Sequence, residues 1–272
     1  MTIIPMTDLQ TKTRWSTARR YYELLSVLVE RNLKGRYRGS FLGVYWSLLN
    51  PLIMTALYTA IFGTVFASYF DNSIVNYVLA AFTGLVVINF FNASTNQALP
   101  SIVSNGSILN KIRLPVSIFP LSMVVANIFQ FAISIFPLLA IVTLWKSQSL
   151  INVIALIFPV IGLSLVCTGV GFLVSTLYVF FRDLPYFYEI VCFVAWISSP
   201  IFYPPEIIPP SVQPFLLLNP LLPVIESIRQ LSLSPGLPDF GLIFQSLLGG
   251  IIILGIGWTC FRLWRHLFMD LL

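Results

Sequence analysis

Aromatic and ionisable side chains set inside an apolar chain are the first places to look for chemistry. Phe41, Tyr45, Trp46, Tyr58, Phe62 and Phe66 run through one apolar segment. The 3.6-residue period puts Phe62 and Phe66 in line, with Tyr45 near the same helical face. Such faces bind sugar rings, because axial C–H groups meet the π cloud; helix packing is the plainer use of the same stripe. Glu189 lies about one turn past Pro185, at the start of another apolar segment. A carboxylate there could relay protons, hydrogen-bond a neighbour near the interface, or pair with Arg182. Arg182 and Asp183 read as a turn with an ion pair at a helix end, or as a contact for a cytoplasmic partner.

Other chemistries are excluded by what is missing. No Gly-x-x-x-x-Gly-Lys-Ser/Thr occurs, so the chain has no P-loop for ATP phosphates. There is no Gly-x-Gly-x-x-Gly signal either. His266 is the single histidine, which rules out His-based metal sites and Ser-His triads within one chain. It reads as an interface residue in a basic tail. Cys167, Cys192 and Cys260 lack metal spacing and read as small packed hydrophobes. No paired acidic motif of a metal-dependent sugar transferase is present. No catalytic residue, metal site or bound cofactor is expected.

The elements that would position these residues are membrane helices. The chain has 272 residues, 57% hydrophobic and 9% charged, where soluble domains carry about 25% charge. Its apolar runs read as six spans, and the loops between them alternate between basic and nearly uncharged. One side holds Lys12, Arg14, Arg19, Arg20, Arg31, Lys34, Arg36, Arg38, Lys111, Arg113, Arg182, Arg262 and Arg265; the other holds Lys146 and Arg229. Lys and Arg in short loops are retained inside during insertion, so both termini are expected in the cytoplasm. The net charge of +5 is then juxtamembrane, suited to anionic lipid rather than nucleic acid. The polar, basic first twenty residues lack the apolar core of a cleavable signal peptide.

Residues 1–19 read as a polar arm, flexible at its start. In residues 20–34, Tyr21, Leu24, Leu25, Leu28, Val29 and Leu33 share one half of a helical wheel, and Arg20, Glu23, Glu30, Arg31 and Lys34 the other. That is an amphipathic helix suited to the membrane interface, with Glu30 and Lys34 spaced to pair. Glycines 35, 39 and 43 should break it. Residues 1–43 form this arm and interfacial helix, and residues 44–272 form one transmembrane domain. Its spans are expected at about 44–68, 75–98, 115–145, 150–181, 186–203 and 240–261. Asn50-Pro51 predicts a kink in the first. The polar far half of the second (Asn89, Asn92, Ser94, Thr95, Asn96, Gln97) must face protein, water or the membrane boundary. Residues 99–114 form a short loop with helical potential. Gly162, Gly169 and Gly171 allow close helix approach in the fourth span. Residues 204–238, proline-rich yet apolar, read as short broken helices re-entering the outer leaflet. No internal repeat is evident, which argues against the inverted-repeat transporter plan.

The segments ERNLKGRYRGSFLGVYWSLLNPL, NKIRLP, FFRDLPYFYEI and IFYPPEIIP…LLNPLLP, in this order, resemble the permease subunit of type-2 ABC exporters for lipid-linked polysaccharides: O-antigen, capsule or teichoic acid. The resemblance covers residues 20–265. It implies an all-α inner-membrane homodimer carrying two separate ATPase subunits, which bind the ATP and Mg that this chain does not. Asn110, Lys111, Arg113, Arg182 and Asp183 would sit on those ATPases. The Pro-rich helices would gate the outer mouth. The substrate would be a polyprenyl-pyrophosphate-linked glycan, O-antigen foremost. Lys34, Arg36 and Arg38 would attract its pyrophosphate, for which Arg is well shaped, or would simply anchor the inside face. The glycan would slide past Tyr45, Tyr58, Phe62 and Phe66. The rival classes are a proton-coupled secondary transporter centred on Glu189 and a membrane-embedded sugar or lipid transferase.

Overall fold

The computed structural model describes residues 6–109, 111, 114–216 and 218–271, and among them every regular element is helical. Helix α1 spans Met6–Tyr37. It begins well before residue 20, because no glycine or proline interrupts residues 6–34. Gly35 is accommodated inside it. The chain turns at Gly39, whose φ of +78° is left-handed. Residues Gly43–Tyr45 make a single 3₁₀ turn. Helix α2, Trp46–Phe66, continues through Pro51, and Thr55 Oγ1 donates to the Pro51 carbonyl at 2.7 Å.

Helix α3, Ile74–Ala98, is capped by Ser73 and buried over most of its surface. A 3₁₀ turn at Val103–Asn105 and the short α4, Gly106–Leu109, follow, in line with the helical potential of residues 99–114. Helices α5, Ile118–Ser134, and α6, Phe136–Ser147, form an apolar pair bent by 46°, with Pro137 opening α6. Gln148 in the left-handed region and the Ser149 cap reverse the chain into α7, Leu150–Ala155, and α8, Ile157–Phe180.

Helix α9, Leu184–Ser198, has 15 residues, about 22 Å at 1.5 Å per residue. It is too short to cross about 30 Å of hydrocarbon alone. The helix stops where Ser199-Pro200 turns extended, earlier than the 203 expected. Four segments are long and apolar enough to span a membrane, Gly43–Tyr69, Ile74–Ala98, Leu150–Phe180 and Phe240–Leu267; the bent α5–α6 pair makes five. The Pro-rich stretch is a 3₁₀ turn, Pro205–Ile207, the short α10, Gln213–Leu216, and α11, Leu222–Leu233. The last span is α12, Phe240–Trp264, capped by Asp239, and a further turn leads to α13, Phe268–Leu271.

Helix α11 is the wedge of the bundle. Its Val224, Ile225, Ile228 and Leu231 are fully buried among residues of α3, α6, α8 and α12. Arg229, expected as a loop charge, is instead built into the fold. Its Nη2 donates to the carbonyls of Pro200 at 2.7 Å and Ala80 at 3.3 Å, and its guanidinium lies 5.9 Å from the Phe70 ring centroid. The Pro-rich segment is thereby tied to the start of α3.

Helices α8 and α12 run parallel and nearly touch along their backbones. Gly162 meets Gly250 and Gly169 meets Gly257, a repeat of seven residues on each helix. A Cβ on Gly257 would collide with the Gly169 carbonyl oxygen, and one on Gly169 with that of Ile253. Gly171 faces Ala98 of α3 instead. The spacing of small residues therefore sets how closely two spans approach.

Gly257→Ala is expected to force α8 and α12 apart at a cost of about 1–3 kcal/mol. Gly249→Ala, whose added carbon would point into open space, should be neutral. Thermal unfolding of the purified protein in detergent, followed by size-exclusion fluorescence, reads the difference.

Candidate functional site

Two polar residues of the second expected span, Asn89 and Gln97, line a cavity where α1, α2, α3 and α5 meet. Its volume of about 440 Å³ falls within the about 300–1,000 Å³ of small-ligand pockets. Trp46 and Asn50 come from the first turns of α2, Asn89 and Gln97 from α3, and Asn127 and Gln130 from α5. Residues 89, 93 and 97 recur every four positions, so one stripe of α3 faces the cavity. Arg36 enters it from the last turn of α1.

Among the described residues, the hydrogen-bond acceptors of the Arg36 guanidinium are all amide oxygens, and its carbon lies 6.0 Å from the Tyr37 ring centroid. Nη1 donates to Asn127 Oδ1 at 3.0 Å and to Gln130 Oε1, and Nη2 donates to Gln97 Oε1. Asn127 Nδ2 donates in turn to Gln97 Oε1 at 2.9 Å and to the Met123 carbonyl. Among the described residues, the ion pairs are Arg19–Glu23 and Lys34–Glu30. Arg36 therefore carries a permanent charge in a neutral cage with no carboxylate beside it. Asn89 Nδ2, buried on a residue of the same cavity, has no partner among the described residues. Neutral dipoles that orient a guanidinium without cancelling its charge leave it free to attract an anion.

The three basic residues of the sequence motif part company here. Arg36 points into the cavity. Lys34 is exposed and pairs with Glu30 at 2.5 Å, and this partner holds the Glu30 carboxyl below its usual range. Arg38 stands exposed in the turn beyond the helix. The helical period explains the split, since alternate residues point about 200° apart on a helix.

The aromatic residues also sort themselves. Tyr58, Phe62 and Phe66 form a continuous stack, with ring centroids 6.2 and 5.9 Å apart. Tyr58 also stacks on Phe202 at 3.7 Å and approaches Trp196 of α9 at 6.4 Å. Tyr45 is not part of this stack. It lies before α2 begins and is largely exposed, and seventeen residues of helix would offset it from Phe62 by about 100°. Asn96, on the next stripe of α3, reaches Cys192 of α9 at 3.8 Å.

The apolar half of α1 packs against protein. Tyr21, Leu24, Leu25 and Leu28 cover Ile102, Leu109, Ile118 and Phe119. Tyr22 and Val27 stay exposed. Arg31 Nη2 donates to Asn105 Oδ1 at 3.1 Å and Asn32 Nδ2 to Ser122 Oγ at 3.1 Å. One helix thus grips the 103–109 segment five residues before it delivers Arg36 to the cavity. Lys111 is exposed in the turn after α4; Asn110 and Arg113 lie outside the described residues. Arg182 and Asp183 are exposed at the α8–α9 corner. No ion pair joins them, or Arg182 to Glu189, among the described residues. Arg182 donates instead to the Leu271 carbonyl at 3.3 Å and lies 5.7 Å from the Tyr178 ring centroid. Glu189 is exposed on α9. Asn127 and Gln130 escaped sequence reading; the only signal was two amides three residues apart in an apolar span.

Residues 23–233 match the model of the ABC-2 type transporter family. Two O-antigen export system permease proteins RfbA from Klebsiella pneumoniae are 31% and 30% identical over 252 residues, 92% of this chain and 95% of theirs. A protein of the same name from Myxococcus xanthus is 29% identical over 80% of this chain and 84% of its own length.

Asn127→Leu is expected to destabilise the protein by about 1–3 kcal/mol, because Arg36 loses one acceptor of its cage. Adding Arg36→Leu in the same chain should recover part of that loss. A double-mutant cycle on detergent melting temperatures checks the coupling.

Proposed function

This chain belongs to the ABC-2 type transporter family, and from that membership we propose that it is the membrane subunit of an exporter for polyprenyl-pyrophosphate-linked polysaccharide, O-antigen foremost. It is a multi-pass protein of the bacterial inner membrane. The carrying observation is the likeness to O-antigen export permeases along nearly the whole chain. The absence of a P-loop from the sequence supports separate ATPase subunits that bring ATP and Mg. A second copy of the chain would cover the exposed apolar faces of α2 and α9, among them Ile53, Leu57, Ile61, Phe187, Ile190 and Phe193.

In this reading both termini and the Arg36 cavity face the cytoplasm, and α11 with its flanking turns closes the outer end. The six-pass count is completed by the bent α5–α6 pair and by α9, short as it is, extended by the residues after it. Arg36 meets the pyrophosphate as it enters from the inner leaflet. Its amide cage holds the guanidinium in place, and a guanidinium is shaped for two phosphate oxygens at once. Lys34 and Arg38, on the surface, raise the local concentration of anionic lipid. The glycan follows along the amide stripe of α3 and the stack of Tyr58, Phe62 and Phe66. The ATPases seat on the segment from Val103 to Arg113, with Lys111 exposed, and on Arg182 and Asp183. Movement there passes through Arg31 and Asn105 into α1, and so to Arg36.

Deleting the gene is expected to leave polyprenyl-linked glycan in the cytoplasmic leaflet, measured by mass spectrometry of membrane lipids; an ordinary lipid profile with normal surface glycan would overturn the reading. In the reconstituted transporter, Arg36→Ala should slow ATP-driven export about tenfold or more, the worth of one charged hydrogen-bond pair. Lys34→Ala should change it by less than about twofold, as befits an exposed ion pair.

A further inference from the structure

The end of the bundle opposite Arg36 holds a second polar cavity, of about 360 Å³, between the turn after α2, the start of α3, the 3₁₀ turn at Pro205–Ile207 and α11. Helix α2 separates the two ends by its 21 residues, about 31 Å. Asp71, Glu206 and Glu226 bring three carboxyl groups to this wall, and Arg229 brings one guanidinium. Tyr69 and Phe70 add two aromatic rings.

Among the described residues, two buried polar atoms on this wall have no partner. Asn76 is 5% exposed. Its Nδ2 donates to Asp71 Oδ2 at 3.1 Å, while its Oδ1 accepts from nothing. Arg229 commits Nη2 to the carbonyls of Pro200 and Ala80, while its Nε donates to nothing. Two residues of the wall therefore carry an unmet acceptor and an unmet donor, each costing about 1–3 kcal/mol when left so. The rest of the wall is rich in acceptors.

We propose that this cavity binds a neutral, hydroxyl-rich sugar ring. Hydroxyl groups both donate and accept, so neighbouring hydroxyls satisfy Asn76 Oδ1, the three carboxyl groups and Arg229 Nε together. The ring face has Tyr69 and Phe70 to lie against. An anion is disfavoured by three carboxyl groups against one guanidinium. A metal ion is disfavoured because no group of three metal-capable side chains converges among the described residues, and because Arg229 supplies its own charge. Burial also pushes the Glu226 carboxyl up, with Arg229 opposing and Glu206 adding. A carboxyl group moved toward its neutral form suits a hydroxyl better than a cation. The place of this pocket on an export path rests on the function proposed above; its capacity to hold a sugar does not.

The test is saturation-transfer NMR on the full-length protein in lipid nanodiscs. The probes are the methyl glycosides of glucose, galactose, mannose, rhamnose and N-acetylglucosamine. At least one should show transfer, reduced about tenfold in affinity by Glu226→Gln or by Asp71→Asn. Lys146→Ala, in the last turn of α6, should leave it unchanged. Asp71 is exposed, so Asp71→Asn decides the matter if Glu226→Gln does not fold. Transfer to none of the probes, transfer indifferent to both variants, or displacement of the glycoside by magnesium or spermidine would each overturn the proposal. Export is not measured, so either result leaves the exporter reading where it stands.

Discussion

Hydrocarbon offers no hydrogen bonds, and this one constraint organises the molecule: polar groups within the apolar helices are driven toward partners in the protein. Hydroxyl groups inside the helices turn back on their own backbones. Thr55 and Thr59 on α2 and Ser164 and Thr168 on α8 each donate to the carbonyl four residues earlier. Three amides, Gln97 of α3 and Asn127 and Gln130 of α5, turn to Arg36 and make its cage. The glycine pairs of α8 and α12 follow from the same constraint. With lipid as apolar as leucine, close backbone packing rather than hydrophobic exclusion holds spans together.

The consequence is a molecule with two polar ends and an apolar waist. At one end the basic residues of α1 meet an amide cavity. At the other, Arg229 and a group of carboxyl groups lie under the Pro-rich helices. Helix α1 is the mechanical link at the first end. Arg31 holds the segment before α4, Asn32 holds α5, and Arg36 reaches the cavity, all on the last two turns of one rigid element. A shift of the 103–109 segment cannot leave Arg36 unmoved unless these bonds break. That arrangement suits a permease driven from outside its own chain.

Much of this was legible in the sequence wherever a local pattern decides the outcome. Charge segregation gave the apolar face of α1, and glycine spacing in residues 162–171 pointed to close helix contacts. The density of proline announced broken helices after residue 200. In the polar half of α3, Ser94 and Thr95 are buried and Asn89 and Gln97 line the cavity, while Asn96 is exposed. Legibility failed where three-dimensional phase decides. Lys34, Arg36 and Arg38 look equivalent in sequence, yet the helix sends only Arg36 inward. Tyr45 shares its residue type with Tyr58 but not its stack. Gly35 broke nothing, since tertiary contacts along α1 outweigh the propensity cost of one glycine, about 1 kcal/mol. Asn127 and Gln130 were hidden because an isolated amide in an apolar span carries no period. Arg229 read as a loop charge because the carbonyls it meets come from residues far away in sequence.

The central claim is that these two polar ends lie on opposite sides of the membrane, with the Arg36 end inside the cell. Membrane-impermeant maleimide labelling of single cysteines, placed in a cysteine-free background by Lys111→Cys and Gly236→Cys, tests it most directly. In intact spheroplasts Gly236→Cys should be labelled and Lys111→Cys protected, with the pattern reversed in inside-out vesicles. Labelling of Lys111→Cys from outside the intact cell would contradict the account.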